Sequence, residues 1–226
     1  MKYWLDTEFI EDGETIDLIS IGIVAEDGRE YYAINLDCDL SKASKFVKEN
    51  VIPKLPPKPV NLADPSVSPW KKKRLIQAEV ADFLGAIAFA EISPKEDLWN
   101  RSLMKIQAHA PIWLNLALNH TPWLKPATNL TTTYTLAPAE EKPEIWAYYA
   151  DYDWVVFCQL FGTMMDLPKG FPMYCRDIKQ WCDMLGNPPL PSQGDGEHSA
   201  LEDARWNRKA WECLNGLQEK QFANHP

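Results

Sequence analysis

Ile16-Asp17-Leu18-Ile19-Ser20-Ile21-Gly22-Ile23-Val24-Ala25 is a run rich in Ile and Val that reads as a buried strand. Just downstream, Glu26-Asp27-Gly28 turns the chain into Glu30 to Ile34, because Asp-Gly favours the positive φ angles of a tight hairpin. Upstream, Lys2 to Asp6 reads as a shorter buried strand. Three antiparallel strands therefore open the domain.

Further out, Ser41 to Val51 has apolar residues at Ala43, Phe46, Val47 and Val51, a helical spacing. A proline-dense connection from Pro53 to Pro69 follows, and Ser68-Pro69 is expected to start a second helix. Ile145 to Ala150 reads as a fourth strand, with a helix from Tyr152 to Phe161 stopping at Gly162. Met173 to Cys175 reads as a short fifth strand, and Arg176 to Leu185 as a helix closed by Gly186. A Pro- and Gly-rich loop runs from Asn187 to Glu197, and a last helix from Ser199 to Gln221. Strands followed by helices give an α/β chain. Residues 86–143 differ in texture, with Trp99, Trp113, Trp123, lone histidines at His109 and His120, and a Thr-rich run from Thr128 to Thr135. So apolar a segment is a subdomain packed on the core, an oligomer contact, or a lid.

At 226 residues, 46% hydrophobic and 24% charged, the chain has the size of one globular domain. A net charge of -9 argues against a broad basic face for duplex DNA or an anionic membrane. The charge is unevenly placed, since Ser41 to Arg74 holds nine basic residues and two acids. That segment is either a solvated face or a rim that contacts a nucleic-acid backbone. Five cysteines with no C-x-x-C pair form no disulfide framework and no zinc ribbon. The N-terminus has acids at Asp6, Glu8, Glu11 and Asp12 in place of an apolar signal stretch, and Ala81 to Ile92 is too short to span a bilayer. A cytoplasmic protein without membrane contact is expected.

The acids form the chemical signal. Asp6 and Glu8 stand at i and i+2 on an extended strand, so they point to one side, where two carboxylates can share a divalent cation. Asp151 and Asp153 form a similar pair after the fourth strand, where one of them is expected to cap the following helix. In Gly194-Asp195-Gly196-Glu197-His198-Ser199-Ala200-Leu201-Glu202-Asp203, Ser199 and Glu202 have the spacing of a capping box. His198 then sits in the loop and Asp203 on the first turns of the helix. A carboxylate held rigidly beside a general base on a glycine-hinged loop suits metal-assisted hydrolysis.

The order D-x-E, Asp, H-x-x-x-x-D resembles the DEDDh 3′-to-5′ exonucleases of the ribonuclease H-like superfamily. Tyr3 to Gly13, Leu18 to Tyr32, Pro53 to Pro57 and Cys158 to Gly162 are most similar, within that family, to the polyadenylate-specific type, exoribonuclease AS of mycobacteria. The likeness leaves out residues 86–143, which look like an insertion within a single exonuclease domain. It implies a ribonuclease H-like mixed five-stranded sheet flanked by helices, with the inserted segment before the fourth strand. It implies that Asp6, Glu8, Asp153 and Asp203 hold two Mg²⁺ ions, with Mn²⁺ as a substitute, and that His198 is the general base. Asp153 is preferred to Asp151 because the family's acid follows a tyrosine, as in Tyr152-Asp153. Thr7, Phe9 and Trp154 resemble positions that line the terminal nucleotide, Phe9 being equally suited to the core. The implied activity is hydrolysis of single-stranded, A-rich RNA from its 3′ end to nucleoside 5′-monophosphates, by a homodimer. A DNA exonuclease and an inactive ribonuclease H-like binding scaffold are the alternatives.

Overall fold

The computed structural model describes residues 1–59, 68–86, 88–94, 130–136, 139 and 141–224. Its centre is a six-stranded sheet in which β1 (Lys2–Glu11), β2 (Ile16–Ala25) and β3 (Glu30–Asn35) form an antiparallel meander. On the far side of β1 lie β7 (Glu144–Ala147) and β8 (Arg176–Asp177), both parallel to their neighbours. The other edge is β4 (Trp70–Lys71), giving the order β4-β3-β2-β1-β7-β8.

The six strands correct the expected five. Ser68-Pro69 does not begin a helix, because Trp70 and Lys71 pair in parallel with Ile34 and Asn35. The Trp70 indole N–H donates to the Pro56 carbonyl at 3.0 Å and fixes the strand. Helix α2 (Lys73–Phe83) starts only after it, while α1 (Lys45–Asn50) lies within the expected 41–51 span. The fifth expected strand also forms later, at Arg176–Asp177 in place of Met173 to Cys175.

Side-chain alternation along β1 divides the core. Tyr3 and Leu5 pack with Ile21, Ile23, Ile76 and Phe157 on one face, beneath α2 and α3 (Ala150–Phe161). Trp4 packs on the other face with Val24, Ile178 and Leu214, beneath α4 (Ile178–Met184) and α5 (Ala200–Asn224). Burying each such side chain contributes ~1.5–3 kcal/mol. A third cluster of Ile10, Ile19, Val47 and Val51 anchors α1 at the end of the sheet.

Within the 86–143 segment, β5 (Ala88–Pro94) and β6 (Leu130–Leu136) pair antiparallel in a separate two-stranded sheet. Trp99, Trp113, Trp123, His109 and His120 lie outside the described residues. All five cysteines are free. Among the described residues no helix is long and apolar enough to cross a membrane.

Candidate active site

Strand β1 is longer than the sequence implies, so Asp6 and Glu8 stand in its middle and not at its end. What ends nearby is β7, which pairs with β1 only from Lys2 to Trp4. Beyond that point β1 has no strand partner on its β7 side among the described residues, and there α3 and α5 deliver their acids. Asn207 of α5, almost fully buried, donates its side-chain amide to the Leu5 carbonyl at 2.9 Å. That bond pins the long helix beside the residue that precedes Asp6.

Gly22 governs how closely α5 can approach. It lies directly across from Asp6 in the β1–β2 pairing. A Cβ on it would meet the Ala200 carbonyl oxygen at 2.2 Å and the Leu201 nitrogen at 2.5 Å. The bare glycine therefore lets the first turn of α5 rest on the strand, a common reason for glycine inside a strand. Asp203, one turn further, is thereby brought to Asp6 and Glu8. Ligand oxygens of Asp6, Glu8 and Asp203 all lie within 4.8 Å of one another.

Asp153 approaches from α3. It is 6% exposed, whereas Asp151 is exposed on the outer side of the same turn. Asp153 Oδ1 accepts from the Thr7 backbone N–H at 2.7 Å and from the Thr7 hydroxyl at 2.6 Å. Neither Asp151 nor Asp153 caps α3, contrary to expectation. The residue before the helix is Tyr149, in the left-handed region at φ 56°, and the Ala150 N–H donates to Asp177 Oδ2 at 2.7 Å. Asp177 Oδ1 accepts from the Gln180 N–H at 2.7 Å, so one carboxylate caps both α3 and α4. Freed from capping, Asp153 can face β1.

Asp203 is held by the loop before α5. Its Oδ2 accepts from the Ser199 N–H at 3.1 Å, and its Oδ1 from the Gln193 side chain. The Ser199 N–H, expected to donate to Glu202, thus donates to Asp203, and Glu202 pairs with Arg205. Residues 197–198 form a turn with His198 at φ 64°, a conformation that costs a non-glycine residue roughly 1 kcal/mol or more. The His198 ring is half-buried and meets the Phe46 ring edge-on, with centroids 5.0 Å apart and an interplanar angle of 87°. Lys54 Nζ donates to the Glu197 carbonyl, one residue earlier.

Four acids so placed resist ionisation. Burial, then Asp153, Asp203 and Glu8, push the Asp6 carboxyl well above the usual range. Burial and the neighbouring Asp203 and Asp153 push Glu8 up to about 8, against the opposing charge of Lys54. Burial pushes Asp153 up to about 7 although both Thr7 hydrogen bonds favour its charged form. Asp203 is raised by burial, with Gln193 and the loop N–H groups acting in opposition. Buried, mutually repelling carboxylates are the donor set that a hard divalent cation stabilises, so the residues fit a metal ion.

Of the residues assigned to substrate, Thr7 is buried and its hydroxyl is engaged by Asp153. Phe9 is half-buried beside the core and stacks on Tyr152, with centroids 5.5 Å apart and planes at 19°. Tyr152 is 49% exposed. Trp154 is half-buried and stacks on Phe157 at 5.1 Å, its indole N–H without a partner among the described residues. Gly22, Gln193, Asp177 and Asn207 join the site without having been expected there. Only Gly22 carries a local signal, an isolated glycine in an apolar strand.

No family model matches the chain. Two proteins of Mycobacterium tuberculosis, from strains CDC 1551 and H37Rv, are each named 3′-5′ exoribonuclease and are 33% identical to it over 205 residues. The match spans 91% of this chain and 88% of each relative. The chain belongs to the 3′-5′ exoribonucleases. In this exoribonuclease the acid cluster lies where β1, α3 and α5 converge.

Proposed function

We propose that this exoribonuclease has a ribonuclease H-like fold of the DEDDh type and removes nucleoside 5′-monophosphates from the 3′ end of single-stranded RNA with two Mg²⁺ ions. The observation that carries the reading is the convergence of Asp6, Glu8 and Asp203 within 4.8 Å, with Asp153 behind them and the His198 turn adjoining Asp203. The antiparallel meander followed by two parallel strands supports the fold assignment. A-rich ends are the preferred substrate on the likeness to the polyadenylate-specific type. Residues 86–143 are an insertion in a single exonuclease domain, and the protein is a cytoplasmic homodimer, a reading that predicts a light-scattering mass of about twice the 25.9 kDa chain mass and that a mass near 25.9 kDa would contradict.

Asp6, Glu8 and Asp203 hold the ions, and Asp153 completes the set. Bound Mg²⁺ supplies Lewis-acid activation of water and neutralises the charge that develops on the phosphate and the departing 3′ oxygen. His198 takes the proton from the attacking water on an imidazole nitrogen as the new P–O bond forms and the bond to the 3′ oxygen breaks. The departing 3′ oxygen takes a proton from solvent, so the shortened strand ends in a free 3′ hydroxyl. Thr7 holds Asp153 in place, and Phe9 with Tyr152 offers an aromatic surface on which the terminal base stacks.

The test is a time course on 5′-labelled oligo(A) RNA and the matching DNA, with Mg²⁺ or with excess chelator. The parent yields a ladder shrinking from the 3′ end, on RNA and only with metal. Asp6→Asn and His198→Asn, shown folded by circular dichroism, fall by about 10³-fold or more. Parent-like rates in both variants, or undiminished cleavage in chelator, would overturn the reading.

A further inference from the structure

We propose that Lys54 is a positioning residue, a strap that holds the His198 loop closed over the carboxylate cluster. This rests on the reading of His198 as the general base. The loop needs such a strap because its turn is strained. His198 has a left-handed backbone that its side chain does not favour, so contacts on either side must hold it there. On the C-terminal side the Ser199 N–H is bound to Asp203. On the N-terminal side the Glu197 carbonyl accepts from Lys54, a residue 143 positions earlier in the chain.

Lys54 itself is well placed to act as an anchor. It ends the short 3-10 turn Ile52–Lys54, next to Val51, which is buried beside Ile10 and Ile19 at the far end of β1 and β2. The same segment carries Phe46, which is 54% exposed yet meets the His198 ring edge-on. Two side chains from one anchored segment thus meet two successive residues of the loop. This gives a specific task to one of the nine basic residues between Ser41 and Arg74.

The test uses the full chain and its Lys54→Met and Lys54→Arg variants, with hydrogen–deuterium exchange of the 193–199 backbone and steady-state kinetics on oligo(A) RNA with Mg²⁺. Lys54→Met should raise exchange in that loop and lower kcat about tenfold while KM changes less than about twofold. Lys54→Arg should restore both. In a His198→Asn background the further loss from Lys54→Met should vanish, because the strap acts through His198. The proposal is overturned if loop exchange is unchanged, or if the kcat loss persists at full size without His198. It is equally overturned if KM rises and the salt dependence of binding falls by about one unit with kcat intact, the behaviour of a phosphate contact. A fully active His198→Asn protein would instead sink the assignment of the base, and loop exchange alone would then decide the strap.

Discussion

Asp153 and Asp203 serve one site from two differently built supports. Asp153 is fixed by Thr7, a residue of the central strand, through two hydrogen bonds of 2.7 and 2.6 Å in a buried setting. Asp203 is equally buried, but its partners Gln193 and Ser199 belong to the loop that carries His198. The first acid is therefore as rigid as the sheet. The second is placed by α5 but takes its hydrogen bonds from the loop, so the proposed base and the proposed metal ligand are ordered together. A site of this construction would couple the closing of its proton acceptor to the completion of its metal-binding frame.

The contrast breaks most severely at Gly22, which supports only the Asp203 side. Gly22→Ala forces a methyl group into the backbone of Ala200 and must push the start of α5 off the strand. Overpacking of this kind costs about 1–3 kcal/mol or more, and activity should fall by about 10²-fold or more. Urea unfolding and the oligo(A) assay measure the two effects. The Thr7–Asp153 pair should survive, so a variant with parent activity would mean that the approach of α5 does not set the geometry.

Metal and pH test both supports together. Because Glu8 and Asp153 have folded-state values of about 8 and about 7, above their unfolded ones, the metal-free protein binds more protons folded than unfolded. The stability these groups contribute is full below about pH 4 and is lost as pH rises toward 8. Melting in chelator should therefore fall across that window. Added Mg²⁺ should raise the melting temperature, and by more at about pH 8 than at about pH 6, because the ion competes with protons for the same oxygens. A Mg²⁺ increment that does not grow with pH would contradict the shared site.

Thr7→Val is the mildest change and touches only the Asp153 side. It removes the hydroxyl bond but keeps the backbone one, costing about 1–2 kcal/mol. Losing a donor to the charged form raises Asp153 further, so the acid limb of the rate profile should move to higher pH. A profile that stays put would place Asp153 outside the working set.

Much of this architecture is legible in the order of residues alone. The meander is, because Asp27-Gly28 and the apolar run of β2 are local signals. So are α3 and α5, and the candidate acids, which stand at short spacings. The two-residue strands are not, since Trp70–Lys71 and Arg176–Asp177 exist only through pairing with distant partners. Capping misleads for a related reason. Asp153 looks like a cap locally, but Asp177, 27 residues away from Ala150, takes that role and leaves Asp153 free. The supports of the site lie further apart still, 146 residues for Thr7 and Asp153 and 202 for Leu5 and Asn207. Spacing within a segment cannot report contacts of that span.

The left-handed turn at His198 also decides how an inactive protein could be used to trap its RNA. Alanine there would remove the imidazole but favour a different backbone, loosening the Ser199 grip on Asp203 along with the chemistry. Asparagine tolerates the left-handed region, so His198→Asn removes the proposed base and keeps the turn. Such a protein would retain an undamaged carboxylate frame and hold an uncleaved strand long enough for its bound form to be captured.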